Sequence, residues 1–242
     1  MTRICIINPV TNQEFEKIDF EQLSRYIPAG VTIAISSISR GPASIESHLD
    51  EALAVPGILE RVKEAQTKAD AIVLNCFGDP GIEAAREISR IPIIGPGATS
   101  MLFATLYGFR FSVITVLKQL EPYLTDMAVK LGIDRKLASI RSVEIPVLEL
   151  DPGSKHLQKI MVEEAIKAIE KDDAHVIVLG CTSMSSARDE IHQALKSHNY
   201  DVPVIDPMTL ALKVAILSVE LGLTHSLLTY PLYNKTLDLL GI

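Results

Sequence analysis

Short apolar runs rich in β-branched residues alternate along this chain with longer segments of helical periodicity. The runs that read as strands are Arg3–Ile7, Val31–Ile38, Ala71–Leu74, Ile91–Ile94, Phe111–Val116, Val143–Leu148, His175–Leu179 and Val202–Ile205. Most are continuously apolar, as expected of strands covered on both faces. Between them, Gly57–Ala69 aligns Ile58, Leu59, Val62, Ala65 and Ala69 on one helical face, with Arg61, Lys63, Glu64 and Lys68 largely outside. Leu157–Lys171 repeats the idea with Ile160, Met161, Ile166 and Ile169. Alternation of this kind predicts an α/β fold with parallel sheets and right-handed crossovers.

The plan occurs twice. Ile91–Pro92–Ile93–Ile94–Gly95–Pro96 matches Val202–Pro203–Val204–Ile205–Asp206–Pro207, both prolines shifting by 111 positions. Ile72–Val73–Leu74–Asn75–Cys76 matches Ile177–Val178–Leu179–Gly180–Cys181 with a shift of 105. Any two strand–helix units share β-branched residues and a proline. Agreement of the Pro spacing with the Cys position favours duplication, with Cys76 and Cys181 at equivalent points. The boundaries this suggests are a first lobe of 1–106 plus 208–242 and a second of 107–207.

Composition narrows the function. The 242 residues carry 30 acidic and 23 basic side chains, a formal net charge of −7, which argues against coating nucleic acid. No basic amphipathic helix suits a membrane surface. The longest apolar run, Met208–Leu223, is interrupted by Lys213, Ser218 and Glu220 and falls short of the ~20 residues a bilayer span needs. Ile4–Ile7 is cut at once by Asn8–Pro9, too short for a signal-peptide core. The expectation is a soluble, cytoplasmic protein, in which the sequon Asn234–Lys235–Thr236 carries no meaning. A mean hydropathy of +0.25 further suggests a homo-oligomer, although no patch marks the interface.

Cofactor signals are missing. Cys5, Cys76 and Cys181 form no Cys-x-x-Cys pair and no Cys/His spacing typical of zinc. Gly95–Pro96–Gly97 does not fit a dinucleotide fingerprint, and no Gly-Lys-Ser/Thr loop is present. Neither a metal nor an organic cofactor is expected. His48, His156, His175, His192, His198 and His225 read as surface or capping residues. Glu46 and Asp50, four apart in an expected helix, read as a solvated face. Tyr230 and Tyr233 read as packing at a lobe or subunit contact.

Ligands of open α/β sheets sit beyond the carboxyl ends of the strands. Asn8, Ser36, Ser37, Cys76, Thr115, Cys181 and Thr182 fall there. Cys76 leads into Phe77–Gly78–Asp79–Pro80–Gly81, with Asp79 a candidate helix N-cap and Pro80 the first helical residue. Cys181 leads into Thr182–Ser183, another candidate cap. Each thiol is thus expected just before a helix N-terminus, where the partial positive charge lowers a thiol pKa. Buried free cysteines are common, and that reading suits Cys5. Two thiols at matching strand ends instead suit a proton transfer from one face of a carbon to the other, one acting as thiolate and the other as thiol. Backbone N–H groups would stabilise the enolate.

Ile6–Ile7–Asn8–Pro9–Val10–Thr11–Asn12, Gly41–Pro42–Ala43–Ser44–Ile45–Glu46–Ser47, Asn75–Cys76–Phe77–Gly78–Asp79–Pro80–Gly81 and Gly180–Cys181–Thr182–Ser183–Met184 together resemble the aspartate/glutamate/hydantoin racemase superfamily. The similarity runs over essentially the whole chain and looks closest to the hydantoin racemase branch, which includes allantoin racemases. The resemblance implies two flavodoxin-like lobes with parallel sheets, related by pseudo-twofold symmetry, with the active site in the cleft between them. It implies Cys76 and Cys181 as the proton-transfer residues and no cofactor. It assigns substrate contacts to Asn8 and Ser44 and to the main chain around Phe77, Gly78, Thr182 and Ser183. Two departures stand out: Val10 replaces an Asn, leaving Thr11 or Asn12 to substitute, and the Gly95–Ser100 segment is unusually rich in glycine.

The function expected is cofactor-independent racemization of a 5-substituted hydantoin or related cyclic ureide, a small-molecule substrate, with no nucleic acid or membrane partner. Alternatives are an amino-acid racemase and a maleate-isomerase or decarboxylase type of enzyme on the same scaffold. A non-catalytic ligand-binding module is the third, with no reason to keep two reactive thiols.

Overall fold

The computed structural model describes residues 1–233. The sequon at 234–236 lies outside the described residues. Contacts divide the chain into two units, Met1–Gly95 with the chain from Ala211 onward, and Pro96–Leu210. Among the described residues, no helix is long and apolar enough to cross a membrane.

The first unit holds a parallel sheet of β1 (Thr2–Asn8), β2 (Val31–Ser37), β3 (Ala71–Leu74) and β4 (Ile93–Ile94) in the order β2-β1-β3-β4. Its strands are linked by α1 (Glu14–Ser24), α2 (His48–Ala65) and α3 (Ile82–Glu87). The second unit opens with α4 (Pro96–Tyr107) and carries β5 (Phe111–Thr115), β6 (Leu137–Ser142), β7 (Val176–Leu179) and β8 (Val204–Ile205), ordered β6-β5-β7-β8 and all parallel. Helices α5 (Glu121–Lys130), α6 (Lys155–Asp172) and α7 (Arg188–Ser197) connect its strands, and α8 (Pro207–Glu220) spans the division at Leu210/Ala211.

The repeat read from the prolines is a repeat of hydrogen bonding. Ile72 N–H donates to Pro92 O at 2.9 Å, and Ile177 N–H to Pro203 O at 2.9 Å. Asn75 N–H donates to Ile7 O at 2.8 Å, and Gly180 N–H to Ile114 O at 2.7 Å. Ile72 pairs with Ile93 as Ile177 pairs with Val204. The prolines sit where a strand begins, so the missing N–H costs no ladder bond. The central strands β3 and β7 are buried throughout, which is why both read as unbroken apolar runs.

One strand was misplaced by the apolar-run criterion. β6 is Leu137–Ser142, and Val143–Leu148 is loop ending in a 3-10 turn at Val147–Glu149. Glu144 adopts a left-handed φ of 56° and Pro146 lacks an N–H, so neither suits a strand. β6 is an edge strand with every residue only partly buried, so its polar Ser139, Arg141 and Ser142 are tolerated. Arg141 pins it to α6, with Nε to Asp172 Oδ2 at 2.7 Å, Nη2 to Asp172 Oδ1 at 3.1 Å and Nη1 to Glu164 Oε2 at 3.2 Å.

Helix α2 begins nine residues before the expected Gly57, running through Pro56. Ser47 caps it, accepting Asp50 N–H at 3.1 Å and donating its hydroxyl to Asp50 Oδ2 at 2.7 Å. Glu46 therefore lies outside the helix, its N–H donating to Asp50 Oδ2 at 3.1 Å, rather than sharing a solvated helical face.

The segment after α8 closes the free side of β4. His225 is half-buried rather than on the surface, and its Nε2 accepts Ile93 N–H at 2.7 Å. Burial, together with the nearby Arg86 cation, holds its pKa down to about 4. Arg86 lies over the Tyr230 ring at 5.5 Å and donates to Tyr230 Oη at 3.2 Å. Tyr233 N–H donates to Glu87 O at 3.0 Å.

Candidate active site

The two thiols occupy corresponding turns. Cys76 follows β3, and its carbonyl accepts Asp79 N–H at 3.0 Å; Cys181 follows β7, and its carbonyl accepts Met184 N–H at 3.1 Å. Both residues are partly exposed and neither is in a disulfide. Cys5, by contrast, packs beside the core of the first unit, where burial pushes its thiol pKa up.

The helix starts differ from those expected. Asp79 is not an N-cap: it sits at φ 50° in the turn, and the cap of α3 is Gly81 at φ 65°, so the helix begins at Ile82, six residues beyond Cys76. A β-carbon at Gly81 would also lie 3.0 Å from Val55 Cγ2. Cys181 is itself the cap residue of a 3-10 segment, Thr182–Ala187, and α7 starts only at Arg188. The main-chain N–H groups that follow the two cysteines are therefore those of a turn after Cys76 and of a short 3-10 segment after Cys181, not of an α-helix N-terminus. Phe77 is buried at 3% exposure, fixing the Cys76 turn, and Thr182 is buried while Ser183 is partly exposed.

Asn8 is 2% exposed and its carboxamide is engaged inside the first unit. Its Nδ2 donates to Asp19 Oδ2 at 2.8 Å, and its Oδ1 accepts Asn75 Nδ2 at 3.0 Å. Asn75 Nδ2 also reaches Asp19 Oδ2 at 3.2 Å. Burial raises the Asp19 pKa to about 6, against the opposing hydrogen bonds from Asn8 and Asn75. Asp19 was not singled out from the sequence, because an Asp in a helix normally reads as solvated. The available signal was its spacing of four from Leu23, which places both on the inward face of α1.

The loop carrying Ser44 borders an open depression of about 770 Å³ lined by Arg40, Gly41, Pro42, Ala43, Asp50, Leu53 and Pro56. Ser44 Oγ donates to Glu46 Oε1 at 3.3 Å. Thr11 joins this loop through its N–H and hydroxyl, both to Pro42 O at 2.9 and 3.2 Å, while Asn12 Oδ1 accepts Glu14 N–H at 3.1 Å. Arg40 faces Glu60 at 3.6 Å.

Gly95 has a steric reason. The Asp79 carboxylate packs against it so closely that a β-carbon there would lie 2.4 Å from Asp79 Cγ. The second unit reverses the choice, with Met184 at the place of Asp79 and Asp206 at the place of Gly95. Asp206 accepts Met208 N–H at 3.0 Å and Thr209 N–H at 3.3 Å, capping α8, and burial pushes its pKa up.

Residues 4–215 match the family described as Asp/Glu/Hydantoin racemase. The chain belongs to this family. The hydantoin racemase of Pseudomonas sp. (strain NS671) is 34% identical over 235 residues, covering 96% of this chain and 92% of that one. The hydantoin racemase of Rhizobium meliloti is 35% identical over 213 residues, covering 88% and 86%. Among solved structures, allantoin racemase from Klebsiella pneumoniae is similar at a TM-score of 0.87 and 32% identity, covering 99% of both chains. Racemase-family membership agrees with the resemblance carried by the Cys76 and Cys181 segments.

Proposed function

We propose that the protein is a cofactor-independent racemase that inverts the stereocentre of a 5-substituted hydantoin or related cyclic ureide. Cys76 and Cys181 serve as its two acid/base groups. The observation that carries this reading is the equivalence of the two cysteines, each partly exposed, in the same turn after the same strand of a duplicated sheet. The chemistry requires one substrate to lie between the two sulfurs. The thiolate on one face takes the proton from the ring carbon, leaving an enolate. The thiol on the other face then delivers its own proton, and the configuration inverts. The electron pair left by the C–H bond is delocalised into the adjacent ring carbonyl, where N–H groups of the Phe77–Gly78 and Thr182–Ser183 turns stabilise the oxygen. A ring carbonyl beside the stereocentre accepts this charge more readily than an ionised carboxylate, which favours a cyclic ureide over an amino acid.

The test is racemization of single enantiomers in D2O by wild type, Cys76→Ser and Cys181→Ser. Wild type racemizes with deuterium at the stereocentre, and each variant loses racemization. Full activity in either variant eliminates the two-thiol mechanism. Turnover of aspartate, glutamate or maleate without turnover of hydantoins moves the substrate class to the alternatives.

A further inference from the structure

We propose that Asp19 is a positioning residue for Cys76, its buried carboxylate holding Asn8 and Asn75 together behind the turn that carries the thiol. The inference rests on the assignment of Cys76 as an acid/base group. Asp19, Asn8 and Asn75 are 5%, 2% and 7% exposed, so the triad is closed from water. Asp19 Oδ2 receives both amide groups, and Asn8 Oδ1 receives the second bond of Asn75. Asn75 is the residue immediately before Cys76, and its backbone N–H is also tied to Ile7 O at 2.8 Å. Main chain and side chain of Asn75 are thus both fixed, which leaves the Cys76 turn little freedom to shift.

The duplicated plan shows that this fold needs no acid here. The buried pair on α1 is Asp19 and Leu23, and the buried pair on α5 is Leu124 and Ala128. In the second unit Leu124 therefore stands in the place of Asp19, while Thr115 and Gly180 stand in the places of Asn8 and Asn75. Thr115 Oγ1 donates to Gly180 O at 3.5 Å, and no buried acid is involved. A β-carbon at Gly180 would lie 2.6 Å from Val113 Cγ1, so the second unit builds this corner by close backbone packing instead. Among the described residues, the carboxylate hydrogen-bonded at this corner is Asp19, beside Cys76, and burial of its charge opposes folding, whereas the buried Asp206 of the second unit caps α8 instead.

The experiment compares wild type with Asp19→Asn, and with Asn75→Ala, which leaves the Asp19–Asn8 bond in place. Folding is checked by circular dichroism. Site-resolved alkylation by iodoacetamide is read by mass spectrometry, and racemization of a hydantoin is followed in parallel. In both variants the alkylation rate of Cys76 should change by at least about fivefold while that of Cys181 stays within about twofold. Racemization should show kcat lower by about tenfold or more with KM within about threefold, because loss of alignment acts on the transition state. Equal alkylation changes at both cysteines, or none at Cys76, overturns the proposal, as does wild-type kcat in both variants. Alkylation needs no substrate, so failure of the racemase assignment appears separately, as absence of wild-type turnover with the Cys76-selective effect intact.

Discussion

Replacing Asp19 with Asn removes the charge at fixed size and so isolates the cost of ionising a buried carboxylate. Burial raises its pKa from the ordinary 3.8 to about 6 in the folded protein. The folded state therefore holds this proton more tightly than the unfolded state. The contribution of Asp19 to stability is fully present below the unfolded pKa and is lost as pH rises through the folded one. A difference of about two pH units at 1.36 kcal/mol each is roughly 3 kcal/mol, an order-of-magnitude figure. Other groups titrate in the same window, so the informative quantity is the difference between wild type and Asp19→Asn. Urea unfolding followed by circular dichroism between about pH 4 and 7.5 gives that difference. It should move in favour of the variant by roughly 3 kcal/mol as pH rises, with most of the change between about pH 4 and 6. Stability curves that stay parallel throughout would show that Asp19 titrates alike in the folded and unfolded states, and would refute the electrostatic reasoning.

Arg141→Met should destabilise the protein by roughly 2–3 kcal/mol in urea unfolding, because Asp172 and Glu164 lose a partner at a mostly buried site. The Asp172 carboxyl is held below its ordinary pKa with help from the Arg141 guanidinium, so the loss should shrink as pH falls through that lowered pKa. Gly95→Ala should cost about 2 kcal/mol or more, since Asp79 must move, and pairing it with Asp79→Ala should recover part of the loss in the same assay. His225 accepts a hydrogen bond only when neutral and its pKa is lowered, so its contribution is present above about pH 6.5 and is lost as pH falls through about 4. The protection of the Ile93 amide against hydrogen exchange, relative to the intrinsic rate at each pH, should fall as pH drops across that range, and His225→Phe should give the low protection at every pH.

The parts of the fold most legible in the sequence were those with a single unambiguous physical cause. β3 and β7 are buried on both faces, so their unbroken apolar runs located them, and the Pro92/Pro203 register located β4 and β8. β6 was missed because an edge strand needs no continuous apolar run, while the more hydrophobic Val143–Leu148 is prevented from pairing by Glu144 and Pro146. The helical face read over Gly57–Ala69 missed the first half of α2, which Ser47 caps much earlier. Gly57 is required because a β-carbon would lie 2.6 Å from Arg40 O. The position of both cysteines just beyond β3 and β7 was readable from the apolar runs before them. Asp19 was not, since its role depends on a rotation of α1 that becomes evident only once Asn8 and Asn75 are seen facing it.

The exchange of Asp79 and Gly95 for Met184 and Asp206 bears on how the two halves could have diverged. From the arrangement of the second unit, introducing an acid at the turn while keeping the one before the helix would force two carboxylates into one space. Losing the latter first would strip α8 of its cap. Single substitutions in either order are thus opposed, by crowding of two carboxylates or by loss of a cap worth about 1 kcal/mol, and a paired change meets neither cost. Grafts between the halves should accordingly transfer the turn residue and the residue preceding the helix proline as one inherited unit.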